Sequence, residues 1–275
     1  MPDWDAGRYH RLSDPQLSWG RRVLSRLAPK PGERILDLGC GTGRLTSELL
    51  LTMGRGCVVG LDRSEAMLTE ASAQNLRNAG PRLHDVTQAP GRVHFVRGDG
   101  GHLPFSGAFD AVFSTASFHW IPDHDRLFAS IYVALAPGGR LVAQCGGGPN
   151  LRRLLQRAHT LMDSPKYRQW FEGWTDPWNF AEVAATRIRL ENAGFTMASV
   201  SLEPAPTTLP DAGVYTDFLS CVCVRHHVGR LPESEQPSFL AALARGASTD
   251  DPPFTLDYWR LNISAVKPAG AEQAA

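Results

Sequence analysis

The chain has 275 residues, of which 43% are hydrophobic, and this is enough to bury the core of one large domain. Its 28 basic residues balance 28 acidic ones, so it lacks the broad basic field that general nucleic-acid binding requires. No apolar run approaches about 18 residues, and no basic region followed by an apolar core opens the chain. We therefore expect a soluble, cytoplasmic protein with a small-molecule substrate and no nucleic-acid or membrane partner.

The five cysteines are scattered and none belongs to a Cys-x2-Cys pair, which argues against a disulfide framework and a structural zinc site. One local cluster, Cys221-Val222-Cys223 followed by His226-His227, contains residue types that bind metals. A single residue separates these cysteines, and no second group of ligands lies nearby in sequence. We expect helix packing at this cluster and no metal ion.

Near the N-terminus, apolar residues recur at three- and four-residue steps from Leu12 to Leu27 and predict an amphipathic helix. The segment Pro29-Lys30-Pro31-Gly32 ends this helix. Two aromatic residues of this region, Tyr9 and Trp19, either pack the helix onto the domain or contact a substrate.

A buried strand, a glycine turn and a helix start follow one another at residues 34–45. Gly39, Gly41 and Gly43 let the backbone turn sharply and present N–H groups to a ligand at the helix start. Arg44 occupies the position of the last glycine of a dinucleotide motif, and no phosphate-binding Gly-x4-Gly-Lys-Ser/Thr loop is present. With Asp37 before it, the turn resembles motif I of class I S-adenosylmethionine (SAM) methyltransferases, whose cofactor carries positive charge and no phosphate.

The second predicted strand, Cys57–Asp62, ends on an acidic residue about 20 residues past the glycine turn, where such a residue can bind both ribose hydroxyls. Arg63 follows, and Ser64 is a candidate N-cap for the next helix. Met67 either lines an adenine pocket or fills the core.

A third strand over residues 93–97 follows an expected surface loop at residues 78–91. Asp99, just beyond the strand, is suited to accept a hydrogen bond from an adenine amino group, and Gly100 leaves room for the base. The alternative is that Asp99 is a solvated loop residue.

Residues 109–114 form a fourth predicted strand, so the segment from Thr115 to Trp120 should flank a ligand at the strand ends. A helix over residues 127–135 and a fifth strand over residues 140–145 complete five strand–helix alternations, which predict a parallel sheet with right-handed crossovers.

The second half of the chain changes character. We predict helices over residues 151–194 and 211–246, a sixth strand over residues 197–202 and a final strand over residues 256–266. Trp170, Trp174 and Trp178 lie close together in the first helical region, where they either form substrate walls or pack a cap.

Taken in order, these elements resemble the class I methyltransferases, which implies an α/β Rossmann-like fold with a seven-stranded, mostly parallel sheet whose last strand is antiparallel. The chain is most similar to the trans-aconitate methyltransferase family of small-carboxylate O-methyltransferases. The shared features are an opening tryptophan and tyrosine and two longer motifs, Ser117-Phe118-His119-Trp120-Ile121-Pro122-Asp123-His124 and Leu231-Pro232-Glu233-Ser234-Glu235-Gln236.

The resemblance implies one methyltransferase domain over residues 1–275. Within it we expect an N-terminal helical lid at 1–30, a SAM-binding core at 31–146, cap helices and final strands at 147–266, and a loose tail at 267–275. SAM would be the cofactor and S-adenosylhomocysteine the product. The cofactor-binding residues expected are Asp37, Gly39, Cys40, Gly41, Gly43, Asp62, Arg63, Met67, Asp99, Gly100 and Thr115.

The lid also resembles that of juvenile hormone acid methyltransferases, in which a glutamine and a tryptophan hold the substrate carboxylate. Gln16 and Trp120 match those positions, and both are neutral N–H donors that can orient a carboxylate. A carboxylate is ionised at neutral pH, so its O-methylation needs no general base. The expected catalytic residues are Gln16, His119 and Trp120, and the expected substrate-binding residues are Tyr9, Gln16, Trp19, His119, Trp120 and Trp174.

Two alternatives remain open from the sequence. His119 could act as a base for methylation of a phenolic oxygen, a nitrogen or a carbon of a natural product. A retained fold could also bind SAM without catalysis. A tricarboxylate substrate would favour several cationic side chains in the cap, and no single cap arginine can be assigned to that role, so a bulkier apolar acid is equally consistent.

Overall fold

The computed structural model describes residues 7–8, 14–78 and 91–270 of the chain. Seven strands form one sheet in the order β3-β2-β1-β4-β5-β9-β6. Six of these strands run in one direction, and β9 is antiparallel to both of its neighbours. The prediction of a mostly parallel, seven-stranded sheet whose last strand is antiparallel is therefore confirmed.

The strands of this sheet are β1 Arg34–Leu38, β2 Cys57–Asp62, β3 Arg92–Arg97, β4 Phe109–Thr115, β5 Leu135–Gly146, β6 Thr196–Pro204 and β9 Trp259–Val266. A separate two-stranded antiparallel sheet pairs β7 Thr207–Thr208 with β8 Thr255–Leu256. The predicted final strand over residues 256–266 was thus wrong at its start, because Leu256 pairs with Thr207 outside the main sheet.

The helices are α1 Asp14–Leu27, α2 Arg44–Met53, α3 Glu65–Asn78, α4 His124–Ala134, α5 Arg152–Met162, α6 Val183–Asn192, α7 Ala212–Phe218, α8 Arg225–Val228 and α9 Gln236–Ala247. Among the described residues, no helix is long and apolar enough to span a membrane. The amphipathic helix predicted before the first strand is present as α1. Tyr9, Leu12 and residues 79–90 of the loop predicted at 78–91 lie outside the described residues, and Asn78 ends helix α3.

The central strands β1, β4 and β5 are buried on both faces of the sheet, as their apolar sequences require. Ile35 of β1 packs with Val23 of α1 and Leu49 of α2, whereas its neighbour Leu36 packs with Leu127 of α4 on the opposite face. This opposition follows from the alternation of side chains along a strand.

A second core lies in the cap, the part of the chain after β5 that is not in the sheet. Its buried side chains come from α5, α7, α9 and the segments between them, and include Tyr167, Phe218 and Phe239. The helices predicted over 151–194 and 211–246 were too long. The first is interrupted by turns and an irregular segment between Met162 and Val183, and the second by a π-turn at Leu219–Cys223 and a non-helical stretch before Gln236.

The strand order reverses direction at β1. Chain progression runs outward to β2 and β3 on one side and to β4 and β5 on the other. Ligands of open α/β sheets bind beyond the carboxyl ends of the strands at such a switch point. The end of β1 leads into the glycine turn, so the sheet places that turn at the expected ligand position.

Candidate active site

Three adjoining cavities lie beyond the carboxyl ends of the strands. The strand-end cavity has a volume of about 160 Å³ and lies over β1, β2 and β4. Its lining includes every expected cofactor residue except Asp37, Cys40 and Gly43. The lining residues that the sequence singled out are Gly39, Gly41, Asp62, Arg63, Met67, Asp99, Gly100, Thr115 and Trp120.

The glycine turn needs its glycine at position 39. Gly39 has a φ of +77°, and a Cβ there would run into the side chain of Ser117. Its own amide donates to the carbonyl of Leu61 at 2.7 Å. The turn therefore packs against both the end of β2 and the segment after β4, with no space for a side chain.

Asp62 fastens this turn to β2. Its Oδ2 accepts from the Gly41 amide and its Oδ1 from the Ser64 amide, each at 2.9 Å. Burial raises the pKa of this carboxyl, while the two backbone hydrogen bonds oppose that shift. Each oxygen retains a lone pair toward the cavity. The predicted N-cap is also present, since Ser64 Oγ accepts from the Met67 amide at 3.2 Å.

The next strand end supplies an exposed carboxylate and a buried glycine. The Asp99 side chain is 65% exposed, and its Oδ1 accepts from the Gly101 amide at 2.9 Å. Gly100 is buried, and a Cβ there would approach Ile121 to 2.9 Å. The two residues border the strand-end cavity side by side.

The turn cavity, of about 70 Å³, lies on the other side of the glycine turn under α1. Asp37, Cys40 and Gln16 line it. Burial raises the pKa of Asp37 to about 7, the Thr46 hydroxyl opposes the shift by donating to Asp37 Oδ2, and the nearby Asp62 adds to it. A buried acid without a charged partner is suited to receive a cation.

The cap cavity, of about 40 Å³, lies between the sheet and the cap. Trp120 lines this cavity and the strand-end cavity, and Gln16 lines this cavity and the turn cavity. The Oε1 atom of Gln16 is buried and has no hydrogen-bond partner among the described residues. The remaining lining residues are Ala116, His119, Asn150, Leu151, Trp178, Phe180, Val222, Cys223, Tyr258 and Arg260.

The possible role of His119 as a base is not supported by its geometry. Its Nδ1 accepts from the Gly146 amide at 3.2 Å, so in the neutral ring the proton is on Nε2. Burial lowers its pKa well below the ordinary value, and Arg260 and His124 lower it further. The ring is a neutral N–H donor at the cavity, because its one unprotonated nitrogen, Nδ1, already accepts from the Gly146 amide.

The sequence did not identify Arg260, which is the one cation in the lining of this cavity among the described residues. It lies on β9 and is only 3% exposed. One of its nitrogens donates to Asn150 Oδ1 at 2.6 Å, and the guanidinium lies over the rings of Trp19 and Tyr258 at 4.5 and 4.8 Å. The final strand alternates apolar residues with Arg260, Asn262 and Ser264, so its sequence carries no distinct signal for a buried cation.

Three of the expected site residues, Trp19, Trp174 and Gly43, line none of the three cavities. Trp19 packs on Tyr258 and Arg260 behind the cap cavity, so it supports the wall rather than forming it. Trp174 packs in the cap core and donates to Asp176 Oδ1 at 2.9 Å, and Trp178 instead lines the cavity. Gly43 faces Ala71 and Phe95 at the start of α2, so it serves helix–strand packing. Tyr9 lies outside the described residues.

Comparison with known proteins agrees with this arrangement. A family model described as a methyltransferase domain matches residues 35–139. A trans-aconitate 2-methyltransferase of Deinococcus radiodurans is 36% identical, over 51% of this chain and 48% of that protein, so the match spans about half of each. The enzyme of the same name from Variovorax paradoxus is 28% identical over 89% of both chains.

Among solved structures, the phosphoethanolamine N-methyltransferase 2 of Haemonchus contortus in complex with S-adenosyl-L-methionine shares the fold. Its TM-score is 0.60 at 19% identity, and the match covers 96% of this chain and 56% of that one. The chain is a SAM-dependent methyltransferase with a methyltransferase domain at residues 35–139. The glycine turn and strand ends of this methyltransferase fit the cofactor. The turn at Gly39 has no side chain to keep a ligand from the backbone, and the buried carboxyl of Asp37 can pair with the positive charge of SAM.

Proposed function

We propose that this methyltransferase transfers the methyl group of SAM to a carboxylate oxygen of a small-molecule acid. The observation that carries the proposal is the chemistry of the cap cavity. It is lined by the Arg260 cation and by Trp120, His119 and Gln16, whose side chains carry N–H groups, and by no Asp or Glu among the described residues. Such a lining favours an anion.

We further propose roles for the cofactor-binding residues. Asp37 would pair with the positive charge of the methionine portion, which has a cationic amino group and sulfonium, and Gly39, Cys40 and Gly41 would border it. The Asp62 oxygens would accept the ribose hydroxyls, since each retains a lone pair. The list of residues proposed to surround the adenine and the methyl donor is Arg63, Met67, Asp99, Gly100 and Thr115.

Trp120 and Gln16 are the proposed links between cofactor and acceptor, because each lines the cap cavity and one of the cofactor-side cavities. Bound SAM supplies the electrophilic methyl group. An ionised carboxylate oxygen forms the new C–O bond as the C–S bond breaks, and the electron pair of that bond goes to sulfur. The products are a methyl ester and S-adenosylhomocysteine, and no proton moves, which agrees with a site whose histidine is already a donor.

The acceptor is proposed to have one carboxylate and an apolar body. Arg260 is the one cation in the lining of the cap cavity among the described residues. Two cations of the cap are engaged elsewhere, since Arg157 pairs with Asp250 and Lys166 with Glu235. Trp178 and Phe180 form a stacked aromatic wall with ring centroids 5.6 Å apart.

The test uses SAM with a labelled methyl group and matched acceptors: an aromatic acid, its amide, its alcohol and a tricarboxylate. We expect label transfer to the aromatic acid alone, and release of the label as methanol on mild alkaline hydrolysis, as methyl esters require. Label that stays fixed after alkaline treatment would indicate an ether, N-methyl or C-methyl product and would contradict the proposal. Faster turnover of the tricarboxylate would contradict the single-carboxylate assignment alone.

A further inference from the structure

Three separate segments of the cap bring two histidines and a carboxylate together, away from the cavities described above. His159 lies on α5, Asp176 in the segment after Trp174, and His227 on α8. Their ligand atoms all lie within 4.8 Å of one another. Nε2 of His159 is 3.1 Å from Asp176 Oδ2, and Nε2 of His227 is 3.9 Å from Asp176 Oδ1.

His227 is the member that points to a ligand. Its side chain is 0% exposed, and neither of its ring nitrogens has a hydrogen-bond partner among the described residues. A buried polar group without a partner costs about 1–3 kcal/mol. A bound ligand would supply a partner for one of these two nitrogens.

We propose that His159, Asp176 and His227 bind a divalent transition-metal ion of the zinc class. Two imidazole nitrogens and one carboxylate oxygen form a ligand set that zinc accepts, with water as the fourth ligand. Tetrahedral zinc with bonds of about 2.0–2.1 Å holds its ligand atoms about 3.3–3.4 Å apart. Measured to the same oxygen, Asp176 Oδ1, Nε2 of His159 at 3.2 Å already fits, and Nε2 of His227 at 3.9 Å requires an approach of roughly half an ångström.

The surroundings of the carboxylate support this assignment. Trp174 Nε1 donates to Asp176 Oδ1 at 2.9 Å, which is the type of outer hydrogen bond that orients a metal-binding carboxylate. His159 is 44% exposed on its side chain, so an ion can reach the site from solvent.

The site has a structural role, and it lies behind the part of the cap-cavity wall that Trp178 forms. None of its three side chains lines the cap cavity. The ring of His227 stacks on that of Trp178, with centroids 5.6 Å apart and planes inclined by 29°, and Trp178 lines the cavity. A bound ion would therefore tie α5, the tryptophan segment and α8 together and fix one wall of the acceptor site.

The experiment uses the full chain without an affinity tag, dialysed against a chelator and then titrated with zinc in competition with a chromophoric chelator. We expect one zinc ion per chain and a rise in melting temperature on binding. His159→Gln, a change at a partly exposed position, should lower zinc affinity at least about tenfold, since loss of even an outer partner costs that much. His227→Asn should have the same effect.

The matched control is His102→Gln. His102 Nδ1 lies 3.7 Å from Asp99 Oδ2, a histidine–aspartate pair outside the cap cluster, and its loss should leave zinc affinity unchanged. Cobalt should give the visible bands of a tetrahedral nitrogen–oxygen site, without the near-ultraviolet thiolate band that cysteine ligands produce. Absence of stoichiometric zinc in the folded chain, equal affinity in His159→Gln, or a thiolate band would each overturn the proposal. None of these readouts depends on methyl transfer.

Discussion

The cofactor side and the cap side of this methyltransferase are built in different ways. The cofactor side uses backbone amides, glycines and carboxylates that follow one another at successive strand ends. The cap cavity is instead assembled from side chains of distant segments, among them Gln16 of α1, Asn150 after β5 and Arg260 of β9. With the roles proposed above, SAM would be held by local chain geometry, and acceptor choice would depend on how the cap packs against the sheet.

The largest effect should come from breaking the cofactor side at Gly39. Gly39→Ala places a side chain at a φ of +77° and against Ser117, so strain and clash together should cost about 3 kcal/mol. SAM affinity, measured by calorimetry, should fall about a hundredfold.

The control is Gly54→Ala, which has a similar φ of +70° but nothing within 4 Å of the added Cβ. It should lower the melting temperature slightly and leave SAM affinity unchanged. Equal loss of SAM affinity in both variants would show that backbone strain alone, and not the close approach at Ser117, explains the need for glycine.

The second effect concerns the cap side alone. Arg260→Met removes the buried cation of the cap cavity. A hydrogen bond to a charged group contributes about 1.5–3 kcal/mol, so kcat/KM for the acid should fall about 10- to 100-fold. SAM affinity should not change.

Arg140→Met is the matched control, because Arg140 pairs with Glu33 at 2.7 Å outside the cavities. It should affect thermal stability but not the KM for the acid. If Arg260→Met weakened SAM binding as much as turnover, the separation of the two sides would be wrong.

A pH titration of SAM binding should report on Asp37. Its pKa is raised to about 7 in the ligand-free protein, and only the ionised form attracts the cationic cofactor. As pH falls below about 7, Asp37 takes up a proton that SAM binding must release, so the dissociation constant should rise by up to about tenfold per pH unit. Asp37→Asn should bind SAM weakly with little dependence on pH, and a wild-type affinity that is constant from pH 8 to pH 5.5 would contradict this assignment.

The smallest effect is expected at His119. His119→Asn keeps an acceptor for the Gly146 amide and loses only the Nε2 donor, so turnover at saturating SAM should fall at most about tenfold. The pH profile of kcat should show no step near pH 6.5 in either protein, because the pKa of His119 lies well below that value. A steep loss of wild-type rate below pH 6.5 that disappears in the variant would restore the base mechanism.

Much of the cofactor side could be predicted from sequence because its signals are short in range. The strand–turn–helix around Gly39, the acid that ends β2 and the N-cap at Ser64 each follow from a few neighbouring residues. Gly43, which was expected at the cofactor, lines none of the three cavities, and a Cβ there would meet Ala71 and Phe95. A glycine that admits a ligand and a glycine that admits a neighbouring helix have the same local signature, and only the position of Ala71 distinguishes them.

The cap was predicted less well because its helices are short and held by tertiary packing. Trp174 and Trp178 look equivalent in sequence, yet one packs in the cap core and the other lines the cavity. We expected no metal ion because the cysteines and histidines near His227 in sequence lack the spacing of metal ligands. The structure brings His159 and Asp176 to this residue from two other segments, and a spacing rule cannot detect such a site.

The sequence by itself determined the sheet, the glycine turn and the acids at the strand ends, because hydrophobic patterning, backbone conformation and strand order are local or nearly local properties. The tertiary structure decided which donors face the acceptor, which tautomer His119 adopts and where Arg260 lies. Those features depend on contacts between segments far apart in the chain. Burial in the folded protein then keeps the His119 ring neutral by lowering its pKa.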